Sequence, residues 1–189
     1  AMLNRVVGST ALVFRRAVVM PNLCPPIISV QGAIAYRERI LASLPPEVEF
    51  TPLMTAYLTD DLLPAVLEEG CREGVFTAAK LYPLNSTTNS SQGVSDLHLI
   101  DSLLETMQRI GLPLLIHGEV VDRDVDVFDR EKIFIERHLV PLLDRYPDLR
   151  VVLEHITTRE AVQFVESSCS RLAATITPHH LHINRNAMF

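Results

Sequence analysis

The sequence of 189 residues lacks the features that mark several large classes of protein. No apolar run approaches the roughly 18 to 20 residues that cross a bilayer, which argues against a membrane protein. The net charge is −6, whereas a nucleic-acid-binding protein normally carries a basic patch. The N-terminal segment contains arginines but has no clean signal-peptide layout. These absences predict a protein that works with neither a membrane nor a nucleic acid.

Cysteine is scarce as well, with Cys24, Cys71 and Cys169 the only three. The number is odd and the spacing contains no Cys-X-X-Cys pair, so a disulfide framework is not expected. We expect three small buried side chains and a reducing, cytoplasmic setting. The sequence also has no internal repeat and no low-complexity segment.

Short apolar runs alternate with amphipathic stretches along the chain. This alternation is typical of parallel βα units, and about six of them can be counted. Apolar residues make up 48% of the sequence, which is enough for the core of one domain over residues 1–189. The predicted strands cover residues 15–22, 50–59, 75–83, 112–119, 149–158 and 171–180, and the predicted helices cover residues 29–44, 60–74, 95–111, 129–147 and 159–168.

Two α/β architectures fit this pattern, a doubly wound sheet and a (β/α)8 barrel of the TIM type. No glycine-rich phosphate loop follows any predicted strand, which counts against a dinucleotide-binding doubly wound sheet. Helix boundaries are marked by capping residues. Asp60 or Asp61 is a plausible N-cap for one helix, and Ser95 and Gly111 are expected to begin and end another.

Polar side chains collect at the carboxyl ends of the predicted strands. In a barrel these ends meet at one mouth, where catalytic groups lie. A single histidine in such a place is more often structural. Two histidines and a lysine on three successive strand ends instead predict a metal site, because neutral imidazole nitrogens suit zinc. The strand ends carry Asn22, Lys80, His117, Glu119, Glu154, His155, Thr157, Thr177, His179 and His180.

Lys80 can be interpreted in two ways. A lysine ammonium has no free lone pair and is a poor metal ligand, but an amine that has reacted with CO2 is an anionic carbamate, which can bridge two metal ions. Alternatively, Lys80 is an ordinary buried lysine that is paired with a neighbouring acid such as Glu119 or Glu154. The residues alone leave both interpretations open.

A group of longer segments is distinctive when taken together: VVMPNL, FTPLMTAYLTD, TAAKLYP, STTNSSQGV, PLLIHGEV, DVFDRE, EHITT and LAATITPHHL. They resemble the dihydroorotases of the single-function bacterial type, in the amidohydrolase superfamily, over essentially the whole chain. The resemblance implies a (β/α)8 barrel with a two-zinc centre. It also implies the reversible cyclisation of N-carbamoyl-L-aspartate to L-dihydroorotate in pyrimidine biosynthesis.

The resemblance implies roles for particular residues. It makes Lys80 the carboxylated lysine that bridges two zinc ions, and it makes His117 and His155 ligands of the second, more buried zinc. These three are the expected catalytic and metal-binding residues. The expected substrate contacts are Asn22, at the substrate carboxylate, and Thr87 and Thr88, at the tip of a loop that closes over the substrate, with Tyr82 in a supporting role.

The sequence also departs from the family pattern. The family opens with a His-X-His pair followed by an arginine, and its last strand carries a metal-binding aspartate. Neither is found at the corresponding place, since the His-Leu-His at 180–182 lies far from the start. We therefore expect a partial barrel without its first and last strands, at most one zinc, an inactive isolated chain and possible homodimers. The alternatives are a non-catalytic remnant that binds a partner, and a related cyclic amidohydrolase acting on a hydantoin.

Overall fold

Six parallel strands pair with one another in the order in which they occur along the chain. The computed structural model describes residues 2–188. In a doubly wound sheet the strand order reverses at a switch point, whereas consecutive order throughout is typical of a (β/α) barrel. The prediction of a partial barrel is confirmed. The strands are β1 (Arg16–Val19), β2 (Thr51–Tyr57), β3 (Phe76–Leu81), β4 (Leu114–His117), β5 (Val151–Glu154) and β6 (Leu172–Ala174).

A helical segment follows every strand, and one helix, α1, precedes β1. α1 lies outside the predicted elements, although Leu3 and Val7, one turn apart, both pack in or against the core. No helix in the described part of the chain is both long and apolar enough to span a bilayer. The helices are α1 (Met2–Ala11), α2 (Val30–Leu41), α3 (Pro64–Arg72), α4 (Asp101–Ile110), α5 (Arg130–Phe134), α6 (Val140–Arg145), α7 (Arg159–Ser167) and α8 (Pro178–His182), with 3-10 turns at Leu97–Ile100 and Arg185–Met188.

The predicted N-cap of α3 is wrong. The helix begins at Pro64, and no side-chain cap precedes it. Pro64 explains this start, since proline has no N–H to satisfy and its fixed φ suits the first helical position. Asp60 instead accepts hydrogen bonds from the backbone N–H and the hydroxyl of Ser95, at 3.0 and 2.6 Å. The aspartate therefore joins two loops at the carboxyl end of the sheet rather than starting a helix.

The helical region that contains α4 begins one residue later than predicted. Asp96, not Ser95, caps the 3-10 turn in front of α4, because its side chain accepts from the N–H of His98 at 2.9 Å. The predicted end at Gly111 is confirmed. Gly111 has φ 69°, in the left-handed region that glycine adopts without a steric penalty.

The helix predicted over residues 129–147 is confirmed, but it contains a wider turn. α5 continues into a π turn, Ile135–Leu139, and then into α6. Pro141 lies at the start of α6. A proline inside a helix removes one N–H and presses against the carbonyl one turn earlier, which accounts for the wider turn immediately before it.

The last predicted strand, over residues 171–180, is much shorter in the structure. β6 has only three residues, and α8 begins at Pro178 after an extended Thr177. A threonine followed by proline at the first helical position is a helix-start signal that the strand prediction overlooked. His179 and His180 consequently lie on a short helix and not on a strand.

The expectation that all three cysteines are buried is wrong. The three are free thiols, and the side chains of Cys24 and Cys169 are exposed.

Candidate active site

A cavity of about 690 Å³ opens at the carboxyl ends of the strands. Its presence there follows from the parallel sheet, since all strand tips point to one edge. Thr88 is exposed and is not among the lining residues, although it follows the lining residue Thr87 on the same loop. The other five predicted site residues all line the cavity: Asn22, Lys80, Thr87, His117 and His155.

Lys80 is almost completely buried and forms an ion pair with Glu154. Of the two acids considered as partners from the sequence, Glu154 is therefore the one that pairs. The Nζ atom of Lys80 also lies 4.9 Å from the centre of the Tyr82 ring, which is a cation–π distance. Burial lowers the pKa of Lys80, and the charge of Glu154 opposes this shift. The neutral amine is thus more accessible here than on a surface lysine.

His117 and His155 face each other in the cavity. Nδ1 of His117 lies 3.2 Å from Nε2 of His155. Nε2 of His117 lies 3.1 Å from a carboxylate oxygen of Glu119 and donates to it, because an ionised carboxylate only accepts. When the ring is neutral, Nδ1 of His117 is then an unprotonated nitrogen that points at His155.

Glu119 is held in turn by Arg130. Nη1 of Arg130 donates to the second carboxylate oxygen of Glu119 at 3.1 Å. The hydrogen bond from His117, supported by Arg130, lowers the pKa of Glu119 although partial burial opposes the shift. The carboxylate is therefore ionised near neutral pH and keeps the His117 ring in one orientation. Arg130 and Glu119 form a support that reaches the cavity from the start of α5.

His155 directly follows β5 in a strained conformation. Its φ is 47°, in the left-handed region that residues with a Cβ rarely adopt. Thr175, just after β6, enforces it: the hydroxyl accepts from the N–H of His155 at 2.7 Å, and the carbonyl accepts from the N–H of Ile156 at 2.9 Å. Such strain concentrates at functional sites.

Burial, together with the charges of Lys80 and His117, lowers the pKa of His155 to about 4, so the ring is neutral near pH 7.

Gly118 lies between His117 and Glu119, just after the end of β4. A Cβ on Gly118 would lie 2.4 Å from Cδ1 of Leu153 and 3.3 Å from Cδ1 of Phe134. The first distance is shorter than real contacts allow, so a side chain here would have to displace the side chain of the buried Leu153. Glycine therefore fits the close packing behind the two polar residues.

Asn22 joins the end of β1 to the loop that carries Thr87 and Thr88. Its Nδ2 donates to the carbonyl oxygen of Thr88 at 3.0 Å, and its Oδ1 accepts from the hydroxyl of Tyr82 at 3.0 Å. The backbone carbonyl of Asn22 accepts from Nδ2 of Asn89 at 2.9 Å. An amide nitrogen carries two protons, and one of those on Asn22 is not used by these contacts.

The polar loop, defined as residues 83–94, is compact. Ser90 is buried, and its hydroxyl donates to the carbonyl of Thr87 at 2.6 Å and accepts from the N–H of the same residue at 2.8 Å. Asn85 and Asn89 have φ of 60° and 55°, which asparagine tolerates better than most residues. The loop tip is thus internally braced. Its predicted closure over a substrate stays a prediction.

The imidazole nitrogens fit part of a zinc site. Two ligand atoms at roughly 2.0 to 2.1 Å from one tetrahedral ion lie roughly 3.3 Å apart. The distance from Nδ1 of His117 to Nε2 of His155 is close to this, at 3.2 Å. The Glu119 contact is of the kind that orients metal-binding histidines. Within residues 2–188, no group of three His, Cys, Asp or Glu side chains could hold an ion. A further donor is therefore needed, and a Lys80 carbamate would supply one.

The sequence did not identify the residues that brace the site. Arg130, Thr175 and Asn89 act through other side chains or through backbone atoms. Arg130 and Thr175 both lie in segments that carry the family resemblance, but no spacing relates them to the histidines they support. These residues come close to the site only when the sheet folds, so the periodicity of apolar residues in the sequence could not have identified them.

No protein-family model matches the chain. Its sequence is 68% identical over 188 residues to the dihydroorotase of Synechococcus sp. (strain CC9605), a match that covers 100% of this chain and 54% of that protein. The dihydroorotase of Campylobacter jejuni matches with a TM-score of 0.89 at 37% identity, covering 99% of this chain and 53% of the other. The dihydroorotase of Saccharomyces cerevisiae in complex with 5-fluoroorotic acid matches with a TM-score of 0.84 at 30% identity, covering 98% and 53%. The chain thus spans about half the length of the relatives it matches.

Proposed function

We propose that this chain, whose sequence belongs to the dihydroorotase family along its entire length, supplies the zinc-binding lysine and histidines for the reversible cyclisation of N-carbamoyl-L-aspartate to L-dihydroorotate. The observation that carries this proposal is the meeting of two facing imidazoles and a buried lysine in one cavity at the strand tips. The reaction belongs to pyrimidine biosynthesis. Three free cysteines support the cytoplasmic setting in which it would run.

Lys80, His117 and His155 would hold zinc. When bound, zinc supplies a Lewis acid that polarises a carbonyl and lowers the pKa of water toward neutrality. His155 is suited to this role because its depressed pKa keeps the ring neutral near pH 7, and a neutral imidazole has one nitrogen with a free lone pair. Glu119 keeps the Nδ1 face of His117 turned toward His155. These donors suffice for one ion at most.

Lys80 would take part as a carbamate. CO2 reacts with the neutral form of an amine, and burial favours the neutral form of this one. A carbamate beside Glu154 would bring two anions into a buried space, which is costly unless a cation lies next to them. We therefore expect the carbamate and the zinc ion to be gained and lost together.

Substrate binding is assigned to the loop side of the cavity, which consists of Asn22, Thr87, Thr88 and Asn89. Dihydroorotate carries a carboxylate, and the spare Nδ2 proton of Asn22 suits an anionic acceptor. Closure of the polar loop would add the hydroxyls of Thr87 and Thr88 and would exclude water. A relative that binds 5-fluoroorotic acid supports a carboxylated pyrimidine as the ligand.

Zinc content and turnover test the proposal. The purified 189-residue chain is expected to bind at most one zinc and to hydrolyse dihydroorotate at no measurable rate, because the donors for a second ion and a proton-shuttling aspartate are not among the predicted site residues. In a full-length protein that contains this chain, Lys80→Ala should abolish turnover. Normal turnover and zinc content in that variant, or a preference of the full-length protein for a hydantoin over dihydroorotate, would overturn the assignment.

Association with another polypeptide is a second candidate role. Leu12, Val13 and Phe14 are 82%, 75% and 59% exposed next to β1. Exposed apolar groups beside an edge strand mark an interaction surface, and β1 is an edge within residues 2–188. A homodimer is the expected form. Light scattering during size-exclusion chromatography would show a dimer, and a monomer at all concentrations would remove this candidate.

A further inference from the structure

We infer that Tyr82 is a positioning residue, whose hydroxyl holds the side-chain amide of Asn22 in place in the orientation that the Thr88 carbonyl selects, so that the amide nitrogen stays available to a carboxylate in the cavity. The ligand class is a ring compound that carries a carboxylate. This inference rests on the proposed substrate contact of Asn22. It assigns Tyr82 a defined chemical effect on ligand selection rather than a general supporting role.

The contact with Thr88 decides which way the Asn22 amide faces, and the contact with Tyr82 holds the amide there. The carbonyl oxygen of Thr88 only accepts, so the amide atom 3.0 Å away from it must be the nitrogen. The other amide atom is then the oxygen, and the hydroxyl of Tyr82, 3.0 Å from it, must donate. An inverted amide would place two acceptors against each other at Thr88, whereas the Tyr82 hydroxyl could accept from the amide nitrogen as well as donate to the amide oxygen.

The orientation matters because a carboxylate also only accepts. The amide nitrogen of Asn22 has a second proton, which can be donated to an anion in the cavity that Asn22 lines. The amide oxygen in the same place would repel that anion. Without the Tyr82 hydroxyl, the amide oxygen would lose its donor, and the amide would be held only at Thr88 and would become mobile.

Tyr82 is well placed to hold the Asn22 amide. Its side chain is buried, and its ring is close to two others, with ring centroids 5.3 Å from Tyr57 and 6.1 Å from His117. The ring therefore cannot turn its hydroxyl away from Asn22 without disturbing both neighbours. Tyr82 follows β3 directly, so the orientation of a rim residue is set from the end of a central strand.

Tyr57 offers a matched control. Its hydroxyl donates to the carbonyl of Asn89 at 3.2 Å, so it also braces the polar loop. It makes no hydrogen bond to the amide of Asn22. Tyr57→Phe and Tyr82→Phe thus each remove one buried hydroxyl that bonds the same part of the molecule. Only Tyr82→Phe removes the donor that holds the Asn22 amide.

Two fluorinated rings that differ by a carboxylate test the inference. The dissociation constants of 5-fluoroorotate and 5-fluorouracil are measured by fluorine NMR for the wild-type chain and both variants. Tyr82→Phe should bind 5-fluoroorotate about tenfold more weakly and 5-fluorouracil equally well. Tyr57→Phe should leave the ratio of the two constants at its wild-type value. An unchanged ratio in Tyr82→Phe would overturn the inference, while a wild-type chain that does not prefer 5-fluoroorotate would overturn the proposed substrate class.

A measurement without ligand decides the inference independently of the proposed function. The side-chain amide of Asn22 is observed by NMR in the wild-type chain and in both variants, with circular dichroism as a check on folding. The Asn22 amide should be rigid in the wild type and in Tyr57→Phe and should become mobile in Tyr82→Phe. Equal rigidity in all three proteins would show that Tyr82 does not hold the amide.

Discussion

On the strand side of the cavity, charged side chains pair directly, as Lys80 does with Glu154. On the loop side, neutral groups bond mainly to backbone carbonyls, as Asn22 does to Thr88. Lys80 is 1% exposed, whereas Thr88 is exposed to solvent. The strand side, which consists of Lys80, His117, Glu154 and His155, is therefore the part where charge must be balanced inside the protein.

The difference has energetic consequences. Removing one partner of a buried ion pair leaves an uncompensated charge and costs about 3 to 5 kcal/mol. A neutral hydrogen bond contributes only about 0.5 to 1.5 kcal/mol net. Substitutions on the strand side should consequently change folding and metal binding, whereas substitutions on the loop side should mainly change ligand binding.

The largest expected effect is that of Glu154→Leu. This variant leaves the Lys80 ammonium buried without a partner, so the free energy of unfolding should fall by about 3 kcal/mol or more. Urea unfolding measures the change. The double variant Lys80→Met/Glu154→Leu should recover most of the loss, because it removes both charges. Equal stability of Glu154→Leu and the wild type would show that the pair does not balance charge.

The combined variant Thr87→Gly/Thr88→Gly examines the loop side. It should weaken 5-fluoroorotate binding about fivefold, because two hydroxyls are lost and the loop tip gains freedom. Zinc affinity, measured by competition with a chromophoric chelator, should equal that of the wild type. A large fall in zinc affinity would mean that the two sides of the cavity are not separate.

The smallest expected effect is that of Asp101→Asn, a substitution outside the cavity. Its effect on the free energy of unfolding can be compared with the effects of substitutions on the strand side and the loop side. Although burial raises it, hydrogen bonds from Tyr146 and Arg145 lower the pKa of Asp101 overall. A depressed pKa stabilises the fold above the unfolded-state pKa, and the contribution disappears as pH falls through the folded-state pKa. Asp101→Asn should therefore cost about 0.5 to 1 kcal/mol near pH 7 and less near about pH 3. A cost that does not change with pH would contradict the pKa shift.

The strand side could be predicted from the sequence because its residues follow strands that are apolar and easily recognised. Lys80, His117 and His155 each come at or just after a buried strand, and parallel strands carry such residues to one edge. The family resemblance added the same three residues. The pairing of Lys80 with Glu154 rather than Glu119 was left open, since it depends on the register of β3, β4 and β5.

The contacts of the loop side could not be predicted in the same way. Asn22 and Thr88 are 66 residues apart and are joined through a backbone carbonyl, which leaves no trace in residue type. The wrong N-caps at Asp60 and Ser95 have a related cause. Both are typical capping residues, but they bond to each other across two loops instead. Local propensity described these residues correctly as polar, while tertiary contacts decided their partners.

The central claim is that Lys80, as a carbamate, holds zinc together with His117 and His155. The most direct measurement is a zinc titration of the chain in isotope-labelled bicarbonate, with the carbamate carbon followed by NMR. A carbamate signal should appear as zinc is added, disappear with a chelator, and be missing in Lys80→Ala and much weaker in His155→Asn. Zinc binding of wild-type affinity in Lys80→Ala, or zinc binding without any carbamate signal, would contradict the account.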